Sequence, residues 1–233
     1  MSDAAGPDLV DGTAAAPSGP APPGAVARGT LAALRPSADS DEPPLHRRTI
    51  DMRVFERDGY LAVIGTLHDQ RPWASGAIGP RDVHRMELGI VVRRSDLVIV
   101  DAEAVMHTFP HTECPSIEGS FSDLVGLSIS RGYTNAVQKR FGRERGCSHV
   151  EFLARSLGPV VIQALSAAAA RRLENGEDES GVLGEGGLQW LTNTCHLWAE
   201  GGIGEQKVAA GWRPAKDAYP APPLLEIRRR LKE

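Results

Sequence analysis

Four of the seven histidines, His107, His111, His149 and His196, lie within seven residues of one of the three cysteines. The local groups are HTFPHTEC (His107, His111, Cys114), GCSH (Cys147, His149) and TCH (Cys195, His196). Thiolate and imidazole suit zinc and iron; four such donors close a tetrahedral site, and three leave a position for water or substrate. None of the groups has the close cysteine pairs of a zinc ribbon. The expected site is therefore one gathered from distant segments by a folded scaffold.

Cys147 carries the sharpest argument, because it immediately precedes Ser148, the predicted cap of a long helix. The partial positive charge of a helix start favours a thiolate, as ligand or as nucleophile with His149 or His196 as base. A buried structural thiol is the plain alternative. Cys114, followed by Pro115, falls in a loop after a strand and reads as a ligand. Cys195-His196 lies in a strand-like run between Trp190 and Trp198, where alternation sends the two side chains to opposite faces. Cys195 is taken as the ligand, with His196 beside the site. His107 and His111 flank Phe109-Pro110, which argues against a helix and makes them loop residues. His84, among Asp82, Arg85 and Glu87, reads from its neighbours alone as a satisfied surface histidine more often than a functional one, and His68-Asp69 at a strand end is equally ambiguous. Arg131-Gly132-Tyr133 fits either an anion site at a helix start or a capping turn.

An antiparallel sheet is expected to position these groups. The segment RRTIDMRVFERDGYLAVIGTLHD contains two apolar, β-branched runs, about 49–57 and 60–68, joined by Asp58-Gly59, a tight-turn dipeptide. After a Gly/Pro-rich loop from Arg71 to Pro80, VHRMELGIVVRR and LVIVDAEAVM repeat the pattern around Ser95-Asp96. From Ser116 the period changes to one that suits short helices ending near Gly126 and Gly142. A long helix should open at SHVE, with Ser148 and Glu151 forming a capping box, and close at Asn175-Gly176. Gly158-Pro159 inside it predicts a kink or a break. An acidic loop follows from Leu173, and the stretch through Trp212 reads as a final pair of strands. The fold class is α+β: a sheet of at least four antiparallel strands, built from two N-terminal hairpins plus C-terminal strands, packed on helices.

Residues 1–45, rich in Ala, Pro and Gly, cannot bury enough apolar surface to offset the entropy of ordering and read as a tail. Residues 46–217 form one domain, and 218–233 a basic helix or tail, with Arg228 to Lys232 at a dipole-favoured helix end. The start lacks the basic and apolar regions of a signal peptide, so a cytoplasmic location is expected. No run approaches the roughly 20 apolar residues of a membrane span. A net charge of −4 without a basic, aromatic-interleaved stripe argues against nucleic acid. An odd cysteine count with no export signal argues against a disulfide framework.

Three segments, VHRMELGIVVRRSDLVIVDAEAVMHTFPHTECP, LVGLSISRGYTNAVQKRFG and GCSHVEFLARSLGPVVIQAL, resemble a bacterial domain-of-unknown-function family, number 2889, over about His46 to Pro214. The resemblance falls on His84 with Met86, on Pro110 with Cys114, on Gly146, Cys147 and His149, and on Cys195 with His196. Val150 stands where that family has leucine, and His107 and His111 lie outside the motif. A second likeness, to iron–sulfur scaffold proteins of the IscU/NifU type, rests on the same placing of cysteines, although the late pair here runs Cys-His rather than His-Cys.

The expectation is thus a site in which Cys114, Cys147, His149 and Cys195 hold Zn²⁺ or iron, with His84 or His196 moving a proton on a small-molecule substrate. Its rivals are a metal or iron–sulfur carrier, a metal-free enzyme with Cys147 as nucleophile, and a metal that only stabilises the fold. The sequence carries no signal for an oligomeric state.

Overall fold

A computed structural model describes residues 41–77, 79–130, 132–177, 191–212 and 220–230. The chain divides into two units between Pro43 and Pro44. The predicted tail lies almost wholly outside the described residues, as does most of the acidic loop.

Both hairpins form. Strands β1 (Arg47–Arg57), β2 (Tyr60–Gln70), β3 (Asp82–Arg93) and β4 (Ile99–Thr108) make one antiparallel sheet in the order β1-β2-β3-β4. Gly59, at φ 70, supplies the left-handed turn that joins the first pair. Alternation then sorts the side chains: Leu61, Val63 and Leu67 of β2 and Met86, Leu88, Ile90 and Val92 of β3 are all buried on one face. Each such side chain contributes about 1.5–3 kcal/mol by leaving water.

Phe121 and Leu124, in a 3-10 segment spanning Cys114–Leu124, pack into the same core, as do Tyr133, Val137 and Phe141 of helix α1 (Tyr133–Phe141). The long helix α2 (Ser148–Glu174) covers the sheet with Val150, Leu153, Ala154, Leu157 and Val161. It crosses β2 at Gly65, where an added Cβ would meet Leu157 at 3.2 Å and Leu153 at 3.4 Å. The most apolar 18-residue window of α2 has a mean hydropathy of 1.4, long and apolar enough by composition to cross a bilayer, more than the sequence reading allowed. In its first half that apolar character faces the sheet.

Several local expectations are corrected. Helix α2 is not broken at Gly158-Pro159. Gly158 instead lets Tyr133 approach the helix backbone, and the Tyr133 hydroxyl donates to the Ala154 carbonyl at 2.9 Å. The cap residue is Cys147, not Ser148, and no side chain caps the helix; Glu151 turns to Arg155, 2.8 Å away, rather than back to the cap. Helix α2 does end at Asn175 and Gly176, the latter at φ 84. The predicted C-terminal strands are absent among the described residues. Residues His196–Trp198 form a 3-10 turn, followed by helix α3 (Ile203–Ala209), because Gly201 and Gly202 turn the chain and Glu205 accepts the Gly201 N–H at 2.8 Å. Leu224–Arg230 forms helix α4, with the arginines in its last turn.

Candidate metal centre

The pairing register of the sheet builds the site. Arg48 of β1 is paired with Asp69 of β2, and Asp69 in turn with His84 of β3, so three polar residues form one rung on the core face. Asp69 continues the buried row Leu61, Val63, Leu67, and its side chain is only 2% exposed. The first turn of α2 brings His149 over this rung.

A buried carboxylate requires partners, and Asp69 has them. Arg48 donates from Nε to Oδ1 and from a terminal nitrogen to Oδ2, both at 2.7 Å, and His46 Nε2 lies 3.1 Å from Oδ1. Burial pushes the Asp69 carboxyl up, but Arg48 and then His46 outweigh it and bring it down to about 2. Asp69 is therefore an anion at neutral pH.

On the other side of the carboxylate, Oδ2 is 3.2 Å from His84 Nδ1 and 3.4 Å from His149 Nε2. The two imidazoles lie against each other with centroids 3.9 Å apart and planes tilted by 31°. Burial, and next the neighbouring His84, push the His149 imidazole down, against the pull of Asp69. A depressed imidazole is neutral at pH 7 and keeps a lone pair. The second ring nitrogen of His149, Nδ1, is 3.7 Å from Cys147 Sγ.

One ligand atom from each of Asp69, His84 and His149 lies within 4.8 Å of the others. A tetrahedral ion with bonds near 2.0–2.1 Å has ligand–ligand edges of roughly 3.3–3.4 Å, close to the two distances measured from Oδ2. Among the described residues this is the one group of three or more such side chains close enough to share an ion.

Of the residues singled out from sequence, His84, His149 and Cys147 come together here. Cys114 and Cys195 do not join the group: Cys114 is half-buried against the core at the start of the 3-10 segment, and Cys195 is exposed at the turn before His196. The convergence of Cys114, Cys147 and Cys195 expected from sequence is thus replaced by a carboxylate and two imidazoles. His196 is also exposed, on that same C-terminal turn. His107 is exposed beside Glu87, and His111 is exposed in the loop. Arg48 and His46 were missed, and Asp69 stood out only as the ambiguous neighbour of His68 at a strand end. The signal for Asp69 was the period of β2, which puts it in the same row as Leu67.

The profile of the family described as "Protein of unknown function (DUF2889)" matches residues 46–163, just over half of the chain. The match covers the four strands and the first half of α2, hence every residue around Asp69, while Cys195 and His196 fall beyond it. No curated protein and no solved structure matches the chain. The chain belongs to the DUF2889 family, and the Asp69 cluster lies wholly inside the part of it that defines the membership.

Proposed function

We propose that Asp69, His84 and His149 bind one divalent first-row metal ion, Zn²⁺ or Fe²⁺, at which a small molecule reacts. The observation that carries this reading is the pair of distances, 3.2 and 3.4 Å, from one buried carboxylate oxygen to two imidazole nitrogens. Two histidines and one carboxylate leave coordination positions free, as in catalytic zinc sites and non-haem iron sites. Such an ion polarises a bound oxygen or lowers the pKa of a bound water.

The protein's own residues have separate tasks in this reading. Arg48 and His46 fix the orientation of Asp69 and keep it ionised. His149 ligates through Nε2, which puts its proton on Nδ1, directed at Cys147 Sγ; a ligating histidine ordinarily donates its second N–H in this way. Cys147 is then a positioning residue for His149 rather than a ligand.

Metal analysis of the full chain after purification without added metal, followed by Zn²⁺ and Fe²⁺ titration of the chelator-treated protein, tests the reading. One equivalent is expected, with affinity falling by about a hundredfold or more in His84→Ala and His149→Ala and unchanged in Cys114→Ser and Cys195→Ser. No stoichiometric binding, or binding lost in the Cys114 and Cys195 variants instead, would sink it.

A second reading draws support from the line Cys147 Sγ, His149, Asp69, with steps of 3.7 and 3.4 Å. That order is nucleophile, base and orienting carboxylate. It predicts rapid alkylation of Cys147 by iodoacetamide, undiminished by saturating Zn²⁺ and abolished in His149→Ala. The metal reading predicts protection by Zn²⁺.

A further inference from the structure

A cavity of about 360 Å³ opens between helix α1 and the start of α2, apart from the Asp69 cluster. Lys139, Arg143, Arg145 and Arg155 line it, against the single carboxylate of Glu151. Four cations to one anion is a local excess of three positive charges in a chain whose net charge is −4. Arg155 is held to Glu151 at 2.8 Å, and Arg145 only loosely to Glu144 at 3.6 Å. Among the described residues Lys139 and Arg143 have no ion-pair partner.

Like charges gathered with fewer counter-ions than cations repel each other and cost stability. The cost here is increased by backbone conformation, since Arg143 is held at φ 61, a region sparsely populated by residues other than glycine. Gly142 before it leaves no room for a side chain, because a Cβ would come within 2.4 Å of the Gln138 carbonyl oxygen. The turn is therefore committed to presenting Arg143 at the cavity. Guanidinium forks match the paired oxygens of phosphate and carboxylate, and an ammonium adds a point charge.

We infer that this cavity binds a compact trianionic group of a small molecule, of the diphosphate or tricarboxylate kind, with Lys139 and Arg143 as its main contacts. The volume suits a small ligand. The site is independent of the metal reading, for none of its residues belongs to the Asp69 cluster.

The test is isothermal titration calorimetry on the metal-depleted full chain at low salt, with pyrophosphate in one arm and citrate in the other. Saturable binding of at least one anion is expected, weakening as salt rises, and the tighter of the two identifies the ligand chemistry. The Lys139→Ala/Arg143→Ala double variant, altered only at exposed side chains, should bind roughly tenfold to a hundredfold more weakly. Arg53→Ala, an exposed residue of β1 paired with Asp51, should bind as the unaltered chain does, and so should His84→Ala, which removes a proposed metal ligand. No saturable heat with either anion, full binding by the double variant, or an equal loss in Arg53→Ala would overturn the inference. Loss in His84→Ala would also overturn it, by tracing the binding to the metal centre.

Discussion

His149 spans two partners with one ring: Nε2 is 3.4 Å from the buried Asp69 carboxylate and Nδ1 is 3.7 Å from Cys147 Sγ. Cys147 and His149 are two residues apart at the start of a helix, whereas Asp69 lies on a strand eighty residues earlier. The ring thereby ties the end of the sheet to the beginning of α2. Changes at any of these residues should register both in ligand binding and in stability.

Cys147→Ser should weaken Zn²⁺ binding by roughly tenfold without abolishing it, the usual scale for losing a partner that orients a ligand. Competition with a chromophoric chelator measures this. A loss as complete as that of His149→Ala would make Cys147 a ligand in its own right.

Arg48→Ala removes both 2.7 Å hydrogen bonds to Asp69 and leaves a buried carboxylate with only imidazoles, those of His46, His84 and His149, around it. Exposed ion pairs contribute up to about 1 kcal/mol and breaking buried ones costs 3–5 kcal/mol. With Arg48 at 38% exposure and Asp69 at 2%, the expected destabilisation at pH 7 is about 2 kcal/mol, read from urea unfolding. A double-mutant cycle with Asp69→Asn should show strong coupling.

The same pair sets an acid limit in metal-free protein. Asp69 is lowered from 3.8 to about 2 on folding. Its contribution is fully present above the unfolded value and is lost as pH falls through the folded one, from about pH 4 to about pH 2. By linkage it amounts to about 2 kcal/mol. Asp69→Asn should flatten that part of the stability profile.

His149 acts in the same direction at higher pH. Its folded pKa is lowered from 6.5, so the folded state favours the neutral ring. Stability of the metal-free protein should fall as pH drops below about 6.5, and His149→Gln should remove that dependence. NMR titration of the imidazole protons checks the direction, and a raised value would contradict it.

Gly158→Ala should destabilise, although alanine is the better helix former by about 1 kcal/mol. The new Cβ would stand 2.8 Å from Tyr133 Cδ1, and the ring is fixed by its hydroxyl bond to Ala154. Overpacking of this kind costs about 1–3 kcal/mol. A raised melting temperature would show that the ring can yield.

Local chemistry made the scaffold legible in the sequence. Asp58-Gly59, Ser95-Asp96 and the alternating runs around them specified two hairpins, and Asn175-Gly176 specified the end of α2, because turns, strand faces and caps depend on residues a few positions apart. The same neighbours misled where tertiary contacts decided: Gly158-Pro159 reads as a kink or a break, yet the helix runs unbroken through it with Tyr133 packed on Gly158, and the Trp190–Trp198 run reads as a strand although no sheet edge pairs with it among the described residues. For the site, the sequence drew attention to Cys147, His149 and His84 by residue type and resemblance. It did not single out Asp69 or Arg48, whose types are ordinary on any surface. Only the strand register, which aligns Arg48, Asp69 and His84 across three strands, and the docking of α2 over them turned an ambiguous strand-end aspartate into the centre of the cluster. Proximity of side chains from four distant segments is a property of the packed sheet and helix, and no spacing along the chain encodes it.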